Sequence, residues 1–202
     1  MEASFLKDRA HKRSFDPAGI QRIEIYLYGG DDEGWVDDDI VVPVLIDGGC
    51  GNDHLRAGGS PAVLLGGEGD DHLEGGKGRN ILIGGLREDH INGKAGDDIL
   101  IGGTTVFNAN RDALLSILAE WNSSRDFATR MANLRSLGTG PRLNNSYFLK
   151  DGLTVLDNGE EDHLNGGSGR DWIFCGRRDR VTWQCGDVVD ILQIMKPALL
   201  LG

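Results

Sequence analysis

From Gly48 to Ile101 the chain writes one nine-residue unit six times without a slip: GGCGNDHLR, AGGSPAVLL, GGEGDDHLE, GGKGRNILI, GGLREDHIN and GKAGDDILI. Position 8 is always apolar (Leu55, Leu64, Leu73, Leu82, Ile91, Leu100), and position 6 is Asp53, Ala62, Asp71, Asn80, Asp89 and Asp98. Glycine crowds positions 1, 2 and 4. Paired glycines supply turns with positive φ at no steric cost. The triplet around position 8 is a short strand with one side chain turned inward. Two units then make one turn of a flattened right-handed coil, and successive turns stack about 4.8 Å apart. The facing Leu and Ile ladders form a core too thin to offset the entropy of so many glycines, since each ordered residue costs about 1–2 kcal/mol. Asp53, Asp71 and Asp89 fall in one column, where like charges repel by about 1 kcal/mol per pair even in water. A hard cation relieves both problems, and turn carbonyls with Asp oxygens are the all-oxygen set that Ca²⁺ prefers.

This unit fits GGxGxDxUx, and the six copies resemble the RTX, or haemolysin-type calcium-binding, repeat family. The resemblance implies a mainly β chain built as a parallel β-roll, with ions held between stacked turns. It implies that one turn gives the carbonyls of positions 1 and 3 and its Asp, and the next those of positions 2 and 4 and its Asp. Carried over, one site takes Gly48, Cys50 and Asp53 with Gly67, Gly69 and Asp71. A second takes Gly66, Glu68 and Asp71 with Gly85, Arg87 and Asp89, where Arg87 stands in place of the usual glycine. The other edge offers Ala62, Asn80 and Asp98, so calcium is expected to load the edge of Asp53, Asp71 and Asp89 first, because affinity rises with ligand charge.

The net charge of −11 and the pI near 4.8 argue against nucleic acid and anionic membranes as partners and suit a chain that gathers divalent cations, although acidity alone also fits a soluble surface. No run approaches the roughly 18 apolar residues of a membrane span. Residues 1–20 carry charges throughout and show no cleavable leader. Either Met1 is an internal start or export relies on something else; the resemblance implies an uncleaved C-terminal signal and an extracellular or cell-surface location. The three cysteines leave open a Cys175–Cys185 disulfide or free thiols.

In chain order, residues 1–22 read as a mobile lead-in and 23–103 as the roll. Ile23 to Ile46 serve as irregular first rungs, with Asp37-Asp38-Asp39 as a solvated turn. Residues 104–150 read as a helical insertion. Leu114, Ile117, Leu118 and Trp121 mark a helix capped at Asn110; Phe127, Met131 and Leu134 mark a second, capped at Ser123 with Asp126 closing a capping box. Tyr147 to Leu149 and Thr154 to Leu156 carry a strand pattern. Residues 151–202 hold two returning repeats, with Asp162 and Asp171 at position 6, and a C-terminal cap. The sequence of helices and returning repeats resembles the C-terminal segment of large bacterial RTX proteins, in which such an excursion caps the end of the roll and hides its last rung.

Neither H-E-x-x-H, nor a P-loop, nor a nucleophile elbow, nor EF-hand spacing is present, so the chain is expected not to be an enzyme. His54, His72, His90 and His163 share position 7. A column of imidazoles can bind Zn²⁺ or Cu²⁺; a surface residue copied with its repeat is the reading the sequence favours, since no group that would orient the rings is legible. Two functions remain open: a calcium-dependent structural module of a secreted or cell-surface protein, or the accessory domain of a toxin or secreted hydrolase whose catalytic part lies outside this chain.

Overall fold

The computed structural model describes residues 19–192; most of the expected lead-in and the tail from residue 193 lie outside them. The chain first lays down β1 (Ile23–Tyr26), β2 (Glu33–Trp35), β3 (Val44–Cys50), β4 (His54–Arg56), β5 (Ala62–Glu68), β6 (His72–Glu74), β7 (Ile81–Leu86), β8 (His90–Asn92) and β9 (Ile99–Ile101). An excursion follows, with β10 (Thr104–Thr105), α1 (Arg111–Trp121), α2 (Phe127–Leu134) and β11 (Val155–Leu156). The roll then resumes in β12 (His163–Asn165), β13 (Trp172–Cys175), β14 (Arg180–Thr182) and β15 (Val188–Ile191).

Strands alternate between two parallel sheets, one ordered β1-β3-β5-β7-β9-β13-β15 and the other β2-β4-β6-β8-β12-β14. Register follows the repeat: Leu64 pairs with Leu82 and Leu82 with Leu100 in the first sheet, while Leu55 pairs with Leu73 and Leu73 with Ile91 in the second. The position-8 side chains meet between the sheets in one fully buried ladder. The molecule is therefore mainly β, a parallel β-roll with a helical insertion.

The two sheets differ outside that ladder. Positions 7 and 9 of the second sheet are polar (His54/Arg56, His72/Glu74, His90/Asn92), so its outer face meets water. In the first sheet they are Val63/Leu65, Ile81/Ile83, Ile99/Ile101 and Trp172/Phe174, apolar on both sides. Leu114, Ile117, Leu118 and Trp121 of α1 and Phe127 and Leu134 of α2 bury that outer face, each large side chain contributing about 1.5–3 kcal/mol. Trp121 Nε1–H donates to the Asp97 carbonyl at 2.7 Å, and buried Arg130 pairs with Asp97 while lying 4.6 Å over the Trp121 ring. The insertion thus covers a face of the roll. It does not close the end, because β9 and β13 pair directly and the sheet continues past the excursion; the expected end cap is corrected on this point.

Asn110 caps α1 as expected, accepting from Ala113 N–H. The cap of α2 is Asp126 rather than Ser123: Asp126 Oδ1 accepts Thr129 N–H at 2.9 Å, and residues 122–125 are spent turning between the helices. Tyr147 to Leu149 form no strand; Tyr147 N–H donates to the Asn144 carbonyl in a turn, and Leu149 N–H donates to the Leu134 carbonyl, tying the segment to α2. Of the second stretch, Val155–Leu156 pairs antiparallel with β10. All three cysteines are free, Cys175 buried and Cys50 and Cys185 exposed. No helix of the described residues is long and apolar enough to cross a membrane.

Candidate functional site

Position 6 builds the site. On the edge that leads into the second sheet, Asp32, Asp53, Asp71, Asp89, Asp162 and Asp179 stand in a column. Each of the first five donates its backbone N–H to Oδ1 of the Asp one turn on, at 2.8, 2.8, 2.9, 2.9 and 3.2 Å in order. On the opposite edge Ala62 donates to Asn80 Oδ1 at 3.1 Å, Asn80 to Asp98 at 2.6 Å, Asp98 to Asp171 at 2.8 Å and Asp171 to Asp187 at 2.9 Å. Buried backbone donors must find an acceptor, and at these turns the side-chain oxygen of the position-6 residue one turn on supplies it.

Only one oxygen of each acid is used this way. Oδ2 of Asp53, Asp71, Asp89, Asp98, Asp162 and Asp171 is buried and accepts no hydrogen bond. Burial is the main cause that pushes Asp71 up to about 6, Asp162 and Asp171 to about 7 and Asp89 to about 9, with neighbouring acids adding to it. Asp98 is raised well above the carboxylate range for the same reason. These carboxylates are short of positive charge.

The orphaned oxygens point to a common place. A methyl group built on Gly66 would lie 2.3 Å from Asp71 Oδ2 and 2.5 Å from the Gly84 carbonyl oxygen. Gly48, Gly84 and Gly93 repeat the arrangement with Asp53, Asp89 and Asp98. Only a residue without Cβ leaves the carboxylate and the carbonyl of the next turn room to converge. An all-oxygen set of carboxylates and carbonyls fits Ca²⁺.

The carbonyl directions correct the pairing that the resemblance implied. Carbonyls of positions 2 and 4 face the following turn, as Gly49 O faces Gly67 and Gly51 O faces Gly69. Those of positions 1 and 3 face the preceding one: Gly66 O points at Gly48, and Glu68 O accepts from Gly51 N–H at 2.8 Å. The space between these turns therefore presents Gly49 and Gly51 with Gly66 and Glu68, in place of Gly48 and Cys50 with Gly67 and Gly69. One turn on it presents Gly67 and Gly69 with Gly84 and Leu86, in place of Gly66 and Glu68 with Gly85 and Arg87. The Asp pairs are unchanged. Arg87 holds a glycine's conformation, φ +81°, beside Gly51 at +117° and Gly69 at +138°.

Three column members escaped the sequence reading. Asp32 sits in the register of Asp53 through the Gly29–Cys50 bridge. Asp179 and Asp187 follow repeats shortened by one and two residues: Leu164 pairs with Val181 and Ile173 with Val189. A strict nine-residue count passes over them; the recurring Gly-x-x-Asp of Gly176 to Asp179 and the Gly186-Asp187 step were the signal. The edge of Ala62 is also less uniform than expected. Asp98 and Asp171 form a two-carboxylate space on it, because the excursion brings a returning repeat beneath Asp98.

Amide side chains occupy some of the other spaces. Asn158 Nδ2 donates to Gly85 O at 3.2 Å and Arg87 O at 2.9 Å, the forward-facing carbonyls of that turn, while its Oδ1 accepts Glu160 N–H at 3.0 Å and fixes the orientation. Asn80 Nδ2 donates to Gly78 O at 2.9 Å and Asp98 Oδ1 at 3.1 Å. Gln184 donates to Gly167 O.

Outside the turns, His54, His72, His90 and His163 stack on the bare face of the second sheet, successive ring centroids 4.8, 6.2 and 4.5 Å apart. Burial within the stack, then its neighbours His163 and His72, hold His90 below its ordinary pKa.

Residues 62–86, 83–104 and 155–176 match the family described as RTX calcium-binding nonapeptide repeat (4 copies). Comparison with curated proteins and with solved structures gives no match. The register, the turn glycines and the acid columns run through these segments, and residues 62–104 and 155–176 carry RTX calcium-binding nonapeptide repeats.

Proposed function

We propose that this chain is a calcium-folded structural module that works outside the cell or at its surface, and that it performs no catalysis. One observation carries the reading: Asp53, Asp71, Asp89, Asp98, Asp162 and Asp171 are buried, each with one oxygen that meets no donor, and these oxygens converge with backbone carbonyls between turns. Buried unpaired charge is among the costliest features a fold can hold. A divalent cation between turns removes the cost and ties one rung to the next. The spaces best equipped are Asp32/Asp53, Asp53/Asp71 and Asp71/Asp89 on one edge and Asp98/Asp171 on the other, each with two carboxylates and none with an amide across its carbonyls. Extracellular calcium modules hold their ions with Kd of about 10⁻⁴–10⁻³ M, which suits exposed edge turns. Ions bound to the folded state alone add about 2.7 kcal/mol per site at 100 times Kd. The test is the melting temperature of the full chain in EDTA and in millimolar CaCl₂. A rise of many degrees in calcium is expected, and an identical Tm in both overturns the reading.

A further inference from the structure

We propose a second metal site, for a transition-metal ion of the zinc or copper kind, on the bare face of the second sheet at His54, His72 and Glu74. His54 and His72 face each other across β4 and β6, and Glu74 lies two residues beyond His72 on the same face. One donor atom from each lies within 4.8 Å of the others. Imidazole nitrogen with one carboxylate oxygen is a borderline set that suits Zn²⁺ or Cu²⁺ and not Ca²⁺. Zinc bonds such donors at about 2.0–2.2 Å and accepts water in its remaining position. His72 Nε2 stands 3.5 Å from Glu74 Oε1, and both histidines are exposed. A depression lined by Glu33, Trp35, His54, Arg56 and Glu74 opens beside them and gives the ion access.

Copying of the repeat accounts for a histidine at position 7 of β4, β6, β8 and β12. It does not account for the carboxylate at position 9, where the neighbouring strands carry Arg56, Asn92 and Asn165. One oxygen of Glu74 already faces His72 Nε2 at 3.5 Å and the ammonium of Lys94 at 2.9 Å. The ammonium of Lys94 therefore competes with a metal for Glu74. This site is separate from the acid columns, whose side chains turn into the edges while these turn out from the sheet.

The probe is ZnCl₂, titrated calorimetrically into the full chain held in millimolar CaCl₂, in a Cys50→Ser/Cys185→Ser background so that the exposed thiols are not counted. One zinc per chain is expected, bound without release of calcium. His72→Ala and Glu74→Gln should each weaken zinc by about tenfold or more, since even the loss of a group that only orients a ligand costs about 10–100-fold. Lys94→Gly should tighten it, and His163→Ala should leave it unchanged. Calcium stoichiometry of each variant reports whether the roll is still folded. The proposal is overturned if His54→Ala/His72→Ala binds zinc as the parent does. It is overturned equally if zinc displaces calcium ion for ion, or if His163→Ala costs as much as His72→Ala.

Discussion

The two edges of the roll solve one problem in two ways. Along the first, Asp32, Asp53, Asp71, Asp89, Asp162 and Asp179 run unbroken, and the turns at Gly49/Gly51, Gly67/Gly69 and Gly85/Arg87 take positive φ at positions 2 and 4. The second begins with Ala62 and Asn80, and its turn glycines Gly58, Gly59, Gly75, Gly76 and Gly78 stay outside the left-handed region. Positive φ returns there at Lys94/Gly96 and Gly167/Gly169, where Asp98 and Asp171 occupy position 6. Turn conformation therefore follows the residue at position 6 more closely than it follows glycine. Lys94 at +68° and Arg87 at +81° hold the left-handed shape although they carry a Cβ, at a cost of roughly 1–3 kcal/mol each. The acid edge leaves its charge to be met by a cation, while the upper half of the other edge closes on its own amide.

That difference is most exposed when calcium is removed and pH is varied. The acids whose folded pKa is raised, Asp71 to about 6, Asp162 and Asp171 to about 7 and Asp89 to about 9, bind protons more tightly in the fold than in the unfolded chain. Their stabilising contribution is complete below the unfolded value of about 3.9 and is lost as pH rises through the folded values. The metal-free chain should therefore be more stable near pH 5 than at pH 8, the reverse of a chain whose acids sit in salt bridges. Calcium should flatten the profile. Thermal melts in EDTA across that range check this, and a metal-free Tm that climbs with pH contradicts it.

A single substitution on each edge sharpens the contrast. Asp71 borders two equipped spaces, toward Asp53 and toward Asp89. Asp98 borders one, toward Asp171, because Asn80 lies on its other side. Asp71→Ala should lose two calcium ions and Asp98→Ala one, a difference of about 2.7 kcal/mol in calcium-dependent stability at 100 times Kd. Calorimetric stoichiometry decides, and equal losses break the assignment of residues to edges.

Much of this was legible in the residues and some was not, for physical reasons. The nine-residue period gave the parallel register, the inward ladder and the column of Asp53, Asp71 and Asp89, because a strict repeat leaves one way to stack. The face beneath the helices was also written, in AVLL, ILI, ILI and WIF against HLR, HLE, HIN and HLN, yet attention to position 8 alone hides it. Asp179 and Asp187 lay beyond shortened repeats, where pairing tolerates deletions in a turn that counting does not. The pairing of carbonyls across a space depends on which way each peptide plane faces, and residue types do not encode that. Nor does anything near Asn158 in sequence announce that it will meet Gly85 and Arg87 across the excursion.

Converting the self-closing half of the second edge tests whether position 6 alone decides. Asn80→Asp removes the donor to Gly78 O and sets a carboxylate beside Asp98. Without calcium the change should cost about 1–3 kcal/mol, the penalty of buried groups left unpaired. With calcium the space should take one further ion and recover part of that loss. A variant that is weaker in EDTA and gains no ion shows that the turn at Gly75 to Gly78, lacking positive φ, cannot present its carbonyls.

The smallest effect expected is the most direct probe of the amide closures. The space between Asp89 and Asp162 has two carboxylates, like its neighbours, and the forward carbonyls of Gly85 and Arg87. It differs in having the Asn158 amide across those carbonyls. The amide supplies donors to them but no charge to the acids; burial, with Asp162 and Asp71 adding to it, pushes Asp89 up to about 9. Asn158→Gly removes the two donors, which should cost the metal-free fold about 1–3 kcal/mol. In calcium the same variant should bind one ion more than the parent and return close to parental stability. If its stoichiometry equals the parent's while its Tm in calcium falls, the amide is only a strut for the returning chain. In that case the edges differ in charge alone, and the closure at Asn80 must be read the same way.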